Sequence, residues 1–504
     1  YSARAWEMIQ HETVSPHDCV GSNMYAHVLR GTVKRIVPRS NEAINETWLS
    51  DRDRFSYEGI YSADRLQNPQ LKESGEWREV DWEEALGKLA EVLGQAASDK
   101  IGLLASPSAT VEESWLLSRL ATHMGTANID HRIGRRDFSN QDHDPVYPWL
   151  GCDIAELEQQ DAILMVGSNI RHEAPILAHR LRKASLNGAK VSFANSVRYE
   201  YFFNIDNYAS DAGLIELLAG VAVAVVGKKE LPAGIAALCK GVNASDEQKG
   251  IAAALQEAEQ GVVLLGCIAT RHGAYSALRD LAAFVADASG VKLGFISDGS
   301  NSAGAHLAGV LPHRDVGGAA RATAGLNANA MTAAKLDALL LLNLEPGADL
   351  VTLGEHDFVA ALTSFDSESL RESADLLLPI GTFAETSGTY VNVAGTWQSF
   401  AGVASPVGDA RPAWKVLRVM GNLLDVDGFD YVSSEDVRDE FAAAVAEVAP
   451  SNEIQSQAKH SAPNGADAVA DQTDVSIYTV DGVVRRAAAL QMTAEAKRGK
   501  AVDE

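Results

Sequence analysis

The sequence predicts an α/β protein, with two related, doubly wound halves built on parallel sheets behind a small β-rich segment. Three observations carry this. From about residue 81 onward, apolar runs of strand length alternate with stretches of helical periodicity. The strand runs are continuous in Val, Ile and Leu, as strands buried on both faces are. Two stretches also repeat one another, Asp161-Ala-Ile-Leu-Met-Val-Gly-Ser-Asn169 and Asp337-Ala-Leu-Leu-Leu-Leu-Asn-Leu-Glu-Pro-Gly347. Each opens on Asp, runs into a buried strand and closes in an Asn- and Gly-bearing loop, the place where such sheets hold their ligands.

Taken in chain order, Tyr25–Leu29 and Thr32–Val37 read as a hairpin about Arg30-Gly31, where Gly supplies a positive φ, and Pro38 ends the pairing. Asp81, with Glu84 three residues later, opens a helix through Leu93. Strands are predicted at Ile101–Ala105, Ala162–Gly167, Val191–Ala194, Val262–Gly266, Val291–Ile296, Ala338–Asn343, Phe358–Leu362 and Leu376–Ile380. Helices are predicted at Glu112–Met124, Ala174–Ala184, Asp211–Val226 and Tyr275–Ala288. The longest apolar stretch, Gly213 to Gly227, contains Glu216 and falls short of the about 20 residues a membrane span needs, so it reads as a buried helix. Residues 437–475 are rich in Ala, Ser, Asp and Gln and broken by Pro450 and by Ser461-Ala-Pro-Asn-Gly465, the pattern of a linker or wrapping tail. A strand at Val475–Val480 and a helix at Val483–Lys497 would follow. The expected domain division is 1–70, then 71–436 as two related halves, then a linker and tail over 437–504.

The net charge of −25, from 68 acidic and 43 basic residues, repels phosphate backbones and anionic headgroups. Nucleic acid is therefore not an expected partner, and no membrane insertion is expected. The four cysteines, Cys19, Cys152, Cys239 and Cys267, are too dispersed for metal-ligand spacing and read as separate buried thiols in a reducing compartment. The 13 histidines include no H-E-x-x-H pair. Neither G-x-x-x-x-G-K-S/T nor G-x-G-x-x-G occurs, and no Ser-His-Asp arrangement is visible, so no catalytic residue is predicted. His172-Glu173, and His143 between Asp142 and Asp144, read as loop hydrogen-bonding groups. The turn Gly294–Gly304 could cradle a phosphate through backbone N–H groups.

The segment Ser15-Pro-His-Asp-Cys-Val-Gly-Ser-Asn23, with Trp48-Leu-Ser-Asp-Arg-Asp-Arg-Phe55, resembles the N-terminal cluster domain of molybdopterin oxidoreductases. Together with Asn45-Glu-Thr-Trp-Leu-Ser50 and Glu76-Trp-Arg-Glu-Val-Asp-Trp82, it is similar to the large iron–sulfur subunits of NADH:quinone oxidoreductase, respiratory complex I (the 75 kDa, or G-type, subunits). Such domains place cysteines as Cys-x2-Cys-x3-Cys-x27-Cys to hold a four-iron cluster. On this chain the four positions are Ser15, Asp18, Ser22 and Ser50, so the spacing is kept without the thiolates. Gly167-Ser-Asn-Ile-Arg-His-Glu-Ala-Pro175 resembles a loop that approaches a pterin guanosine diphosphate. Glu385-Thr-Ser-Gly-Thr-Tyr-Val-Asn392, Gly395-Thr-Trp-Gln398 and Ala410-Arg-Pro-Ala-Trp-Lys-Val-Leu417 resemble further family stretches. Where the family's metal ligand would fall, Ile129–Phe138 offers no Cys, and Asp130 and Asp137 there read as solvated surface charges.

The resemblance implies a molybdopterin-oxidoreductase-like fold with a degenerate cluster domain, halves that intertwine over 71–436, and no catalytic, cofactor or metal residue in this stretch. It implies a scaffold portion of the large peripheral-arm subunit of complex I, supporting electron transfer from NADH to quinone. Iron–sulfur clusters would lie in N-terminal domains upstream of Tyr1. The implied partners are the other hydrophilic-arm subunits, including the flavin- and iron–sulfur-carrying ones, at the cytoplasmic face of the bacterial inner membrane. The alternative is a molybdenum or tungsten bis-pterin oxidoreductase of the formate dehydrogenase type. An unrelated α/β nucleotide-binding protein is a third reading.

Overall fold

A computed structural model describes residues 3–227, 230–349, 352–454, 460 and 476–500, with side chains to residue 497. Its strands are β1 (Ile9–Val14), β2 (Asn23–Leu29), β3 (Thr32–Pro38), β4 (Gln70–Glu73), β5 (Glu76–Glu79), β6 (Ile101–Ala105), β7 (Ile129–Asp130), β8 (Ala162–Val166), β9 (Lys190–Ala194), β10 (Asn207–Ala209), β11 (Gly261–Leu265), β12 (Lys292–Phe295), β13 (Ala338–Leu342), β14 (Val359–Thr363), β15 (Leu376–Pro379), β16 (Gly388–Val391) and β17 (Trp397–Phe400). The eight strands expected from continuous apolar runs are all present. The hairpin β2–β3 turns through Arg30 (φ 51°) and Gly31 (φ 76°), and β1, which polar residues disguise, pairs antiparallel with β2. The short hairpins β4–β5 and β16–β17 and the two-residue β7 carry too little apolar pattern to be read from sequence.

Two sheets repeat one plan. One is β10-β9-β8-β11-β12, all parallel. The other contains β15-β14-β13-β6-β7, also parallel, and ends in the antiparallel hairpin β4–β5. In this register β8 corresponds to β13 and β11 to β6, and the repeated aspartates do the same work. The Asp161 carboxylate accepts the Gln260 N–H (2.8 Å) just before β11. Asp337 accepts the Ala97 N–H (3.4 Å) in the turn that leads into β6. At the far ends, Gly167 (φ 57°) and Asn343 (φ 53°) both turn left-handed, and their N–H groups donate to Ala194 and Leu362 on the equivalent neighbours. The halves are interleaved, because the chain builds β6 and β7, completes the first sheet, and returns to the second.

Helices cover both sheets. Trp82–Gln95 starts where Asp81 accepts the Glu84 N–H (2.9 Å), and buries Trp82, Ala85, Leu86, Leu89 and Leu93 along one face. Leu214–Val226, the long apolar stretch, lies buried against Asp246–Glu257 and Tyr275–Ser289. Each wholly buried Leu or Val there contributes about 1.5–3 kcal/mol.

Three expectations need correction. Residues 437–444 belong to a helix, Ser434–Ala444, capped by Ser433 and anchored by buried Val437 and Phe441, while most of the expected linker beyond it lies outside the described residues. The expected strand at Val475–Val480 is a turn over 476–480, closed by the Thr479 N–H on the Ser476 carbonyl (3.2 Å), with no strand beside it; Val475 is outside the described residues. The helix Val483–Lys497 is three short segments, Gly482–Arg485, Ala488–Gln491 and Ala494–Lys500. It breaks because the chain bends to reach Glu345 through Arg486 and Glu58 through the Ala489 N–H.

Candidate functional site

The loop 15–22 joins β1 to β2 and closes on itself through the Ser15 N–H, which donates to the Ser22 carbonyl (2.9 Å). Opposite it, the short helix Asp51–Phe55 opens on Ser50, whose Oγ accepts the Asp53 N–H (3.1 Å). Asp53 then bridges the two elements. It accepts the Ser15 hydroxyl at 2.5 Å on one oxygen and the Ser50 hydroxyl at 2.9 Å on the other. Its neighbour Arg52 donates to Asp18 at 2.6 Å and to the carbonyls of His172 (3.0 Å) and Glu173 (3.1 Å). The structure thus ties Ser15 and Ser50 to Asp53 and Asp18 to Arg52, while Ser22 is joined to Ser15 through its carbonyl and keeps a buried hydroxyl without a hydrogen-bond partner; all six residues are buried. Burial raises the Asp18 carboxyl above its usual range, and the Arg52 guanidinium opposes that shift.

These donors do not fit an iron–sulfur cluster. Three are neutral hydroxyls and the fourth, a carboxylate, is committed to Arg52, whereas a four-iron cluster takes soft thiolates. The adjacent thiol, Cys19, is pushed far up by burial and by the Asp18 charge.

A second feature is a cleft of about 230 Å³ at the carboxyl ends of both parallel sheets. Ser106, Cys267, Ser297, Asn343, Ser364 and Ile380, each within two residues of a strand end, line it. This is where doubly wound sheets present backbone N–H groups to anionic ligands. Here the chain's own carboxylates take those donors. Glu173 accepts the N–H groups of Asn169 (2.9 Å) and Cys267 (3.1 Å) and the Ser168 hydroxyl (2.8 Å). Asp349 accepts the Glu345 N–H (2.7 Å). Among the described residues, seven carboxylates and one guanidinium, Arg271, line the cleft, and two of the carboxylates, Glu345 and Asp349, are paired with Arg485 and Arg486 at its edge. Burial pushes Glu113 and Glu173 up to about 7. A pyrophosphate-bearing pterin would meet N–H donors already taken, so the lining does not fit that group.

One wall of the cleft is Thr479–Val483 from the C-terminal tail. Asp481 contacts His17 Nδ1 (2.6 Å), and His17 Nε2 contacts the Ser56 hydroxyl (2.7 Å). Although burial pushes it up, His17 holds the Asp481 carboxyl down at about 2. This Asp–His–Ser chain is invisible in sequence because 464 residues separate its first pair. Ser56 is wholly buried and does not line the cleft, so the chain is a structural tie.

Asp130 and Asp137, expected as solvated charges, are buried. Asp130 pairs with Arg132 (2.8 Å), and Asp137 accepts the Ser139 and Ser276 hydroxyls (2.5 and 2.8 Å). Asp144 lies between Arg135 and Arg279, which hold its carboxyl well below the usual range against the effect of burial. The loop that would present a metal ligand is thus an internal salt-bridge network, for which isolated charges in a sequence give no signal. His172, next to Glu173, contacts Glu495 of the tail. The four cysteines are buried and unbridged. Among the described residues, no three His, Cys, Asp or Glu side chains gather as a metal site, and no helix is long and apolar enough to cross a membrane.

Two interleaved parallel sheets meeting at one cleft, behind a small β-rich pocket, define the class: a two-half α/β fold of the kind that houses a large ligand between its halves. The chain belongs to the molybdopterin oxidoreductase family, whose sequence model matches residues 65–422. A second model, the NADH-ubiquinone oxidoreductase NDSU1/NuoG-like 4Fe-4S domain, matches residues 9–58. The chain is 27% identical over 445 residues to the G-type subunit of the NADH-quinone oxidoreductase of Rickettsia felis, covering 87% of this chain and 59% of that protein. It is 24% identical over 480 residues to the NADH-ubiquinone oxidoreductase 75 kDa subunit of Reclinomonas americana, covering 90% and 63%. To the 78 kDa mitochondrial subunit of Candida albicans it is 26% identical over 431 residues, covering 84% and 54%. The chain therefore spans less than two thirds of the length of these relatives. In fold it resembles acetylene hydratase from Pelobacter acetylenicus, with a TM-score of 0.66 at 13% identity over 93% of this chain and 77% of that one.

Proposed function

We propose that this chain is a cofactor-free scaffold portion of the large peripheral-arm subunit of NADH:quinone oxidoreductase. In this reading it does no chemistry itself. It holds neighbouring subunits, among them those carrying the flavin and the iron–sulfur clusters, within electron-transfer range at the cytoplasmic face of a bacterial inner membrane. Its units are the cluster-type domain (1–70), the interleaved halves (71–436) and the tail (437–504). The observation that carries the reading is the exchange at the former ligand positions. There Asp53 bridges Ser15 and Ser50, and Arg52 neutralises Asp18, inside a region matched by the complex I cluster-domain model.

The formate dehydrogenase type of reading has less support, because the cleft's anion donors are taken by Glu173 and Asp349. Affinity purification from the native membrane tests the proposal. Co-purification with flavin- and iron–sulfur-containing subunits and NADH:quinone activity is the expected result. One molybdenum or tungsten per chain, or an active protein free of those partners, would overturn it.

A further inference from the structure

The C-terminal segment does more than cover the cleft. Residues 476–497 touch three parts of the molecule, adding to the direct bonds of Arg52 and Arg65 between the N-terminal unit and the sheet-end loops. On the N-terminal unit, Asp481 meets His17, the Ala489 N–H donates to Glu58 (2.8 Å), and Arg486 pairs with Asp64 (2.5 Å). On the loops beyond β13 and β14, Arg485 pairs with Asp349 (2.6 Å) and Glu345 (3.0 Å). Arg486 pairs with Glu345 (2.9 Å) and lies 4.0 Å over the Phe365 ring. On the loop beyond β8, Glu495 meets His172.

The seat is shaped to the segment's backbone. A Cβ on Gly59 would lie 2.0 Å from the Val483 carbonyl oxygen, and one on Gly482 would lie 2.5 Å from Glu345 Oε1. Charge complements shape, because the basic pair Arg485-Arg486 holds the lining carboxylates Glu345 and Asp349 from the edge of the cleft. Asp481 meanwhile accepts the N–H groups of Val483 (3.0 Å) and Val484 (2.9 Å) and so fixes the turn that presents both arginines.

We infer that the sheet-end cleft is a receptor for the chain's own segment 476–497, a basic peptide ligand in place of an anionic cofactor, and that the seated segment is a strap tying the N-terminal unit to both sheets. The inference stands on contacts within this chain and does not depend on the complex I reading.

Amide hydrogen exchange on the Arg485→Glu/Arg486→Glu variant of the 504-residue chain tests it. The amides of Val483, Val484 and Ala489 should exchange at least tenfold faster than in the unaltered chain, while β8 and β13 keep their protection. A synthetic peptide of residues 476–497 should bind this variant at least tenfold more tightly than it binds the unaltered chain, whose seat is filled. Gly59→Ala, which leaves every charge in place, should speed exchange at the same three amides. Unchanged exchange in both variants, or a peptide that binds both chains alike or neither, overturns the inference. So does loss of protection in β8 and β13 together with the strap, because a strap comes away without melting the sheets it joins.

Discussion

Around Asp18 the chain fills a pocket with side chains from the short helix opposite, Arg52 and Asp53. The cleft at the sheet ends is instead covered by a segment whose Arg485 lies 136 residues beyond its partner Asp349. The difference is one of size and solvent. Two residues fill most of a compact pocket, leaving the Ser22 hydroxyl and Arg52 Nε without partners, and Arg52 ends there with no solvent exposure. The larger cleft keeps about 230 Å³ of space, and Arg485 at its edge stays 15% exposed. The same type of interaction, guanidinium on carboxylate, should therefore weigh differently in the two places, since an unpaired charge costs most where water cannot reach it.

Substitution measures that contrast directly. Arg52→Ala leaves Asp18 buried without its partner and two carbonyls without a donor, and should lower unfolding free energy in urea by about 3–5 kcal/mol. Arg485→Ala should cost less than about 2 kcal/mol, because water can solvate what it leaves behind. Equal losses would remove the distinction between a sealed pocket and a strapped cleft. Ser50→Ala removes a helix cap and one partner of Asp53, and should cost about 1 kcal/mol. Ser15→Ala, which keeps the cap, should cost no more than that.

The pH dependence of stability reports on the cleft. Burial raises Glu173 from 4.5 to about 7, so its protonated form is favoured in the folded chain. Its contribution to stability is complete below about pH 4.5 and is lost as pH rises through about 7. Glu173→Gln should therefore flatten the fall in melting temperature between pH 5 and 8. A variant whose melting temperature falls as steeply as the unaltered chain's would show that Glu173 is not buried as described.

The sheets are legible because strands buried on both faces are written as runs such as Leu339–Leu342 and Val262–Leu265, which need no partner to be recognised. The repeat is legible because Asp161 and Asp337 open equivalent strands. Spacing places Ser15, Asp18, Ser22 and Ser50 in one region, but Arg52 and Asp53, which fill it, look like surface charges on a short helix. Asp130, Asp137 and Asp144 mislead in the same way, because a sequence shows a charge without its counter-charge and Arg279 lies 135 residues from Asp144. Local propensity makes the tail a strand and then a helix. Its shape follows instead from Glu58, Glu345 and His17, contacts of very long range that override weak local preference.

Iron analysis of the chain of residues 1–504, isolated anaerobically and incubated with iron, sulfide and thiol, decides whether the pocket at Ser15, Asp18, Ser22 and Ser50 still takes a cluster. With Asp53 bridging Ser15 and Ser50 and Arg52 holding Asp18, less than about 0.1 iron atom per chain should be retained and no thiolate-to-iron absorption should appear. About four iron atoms per chain, with the matching sulfide, would contradict the cofactor-free reading.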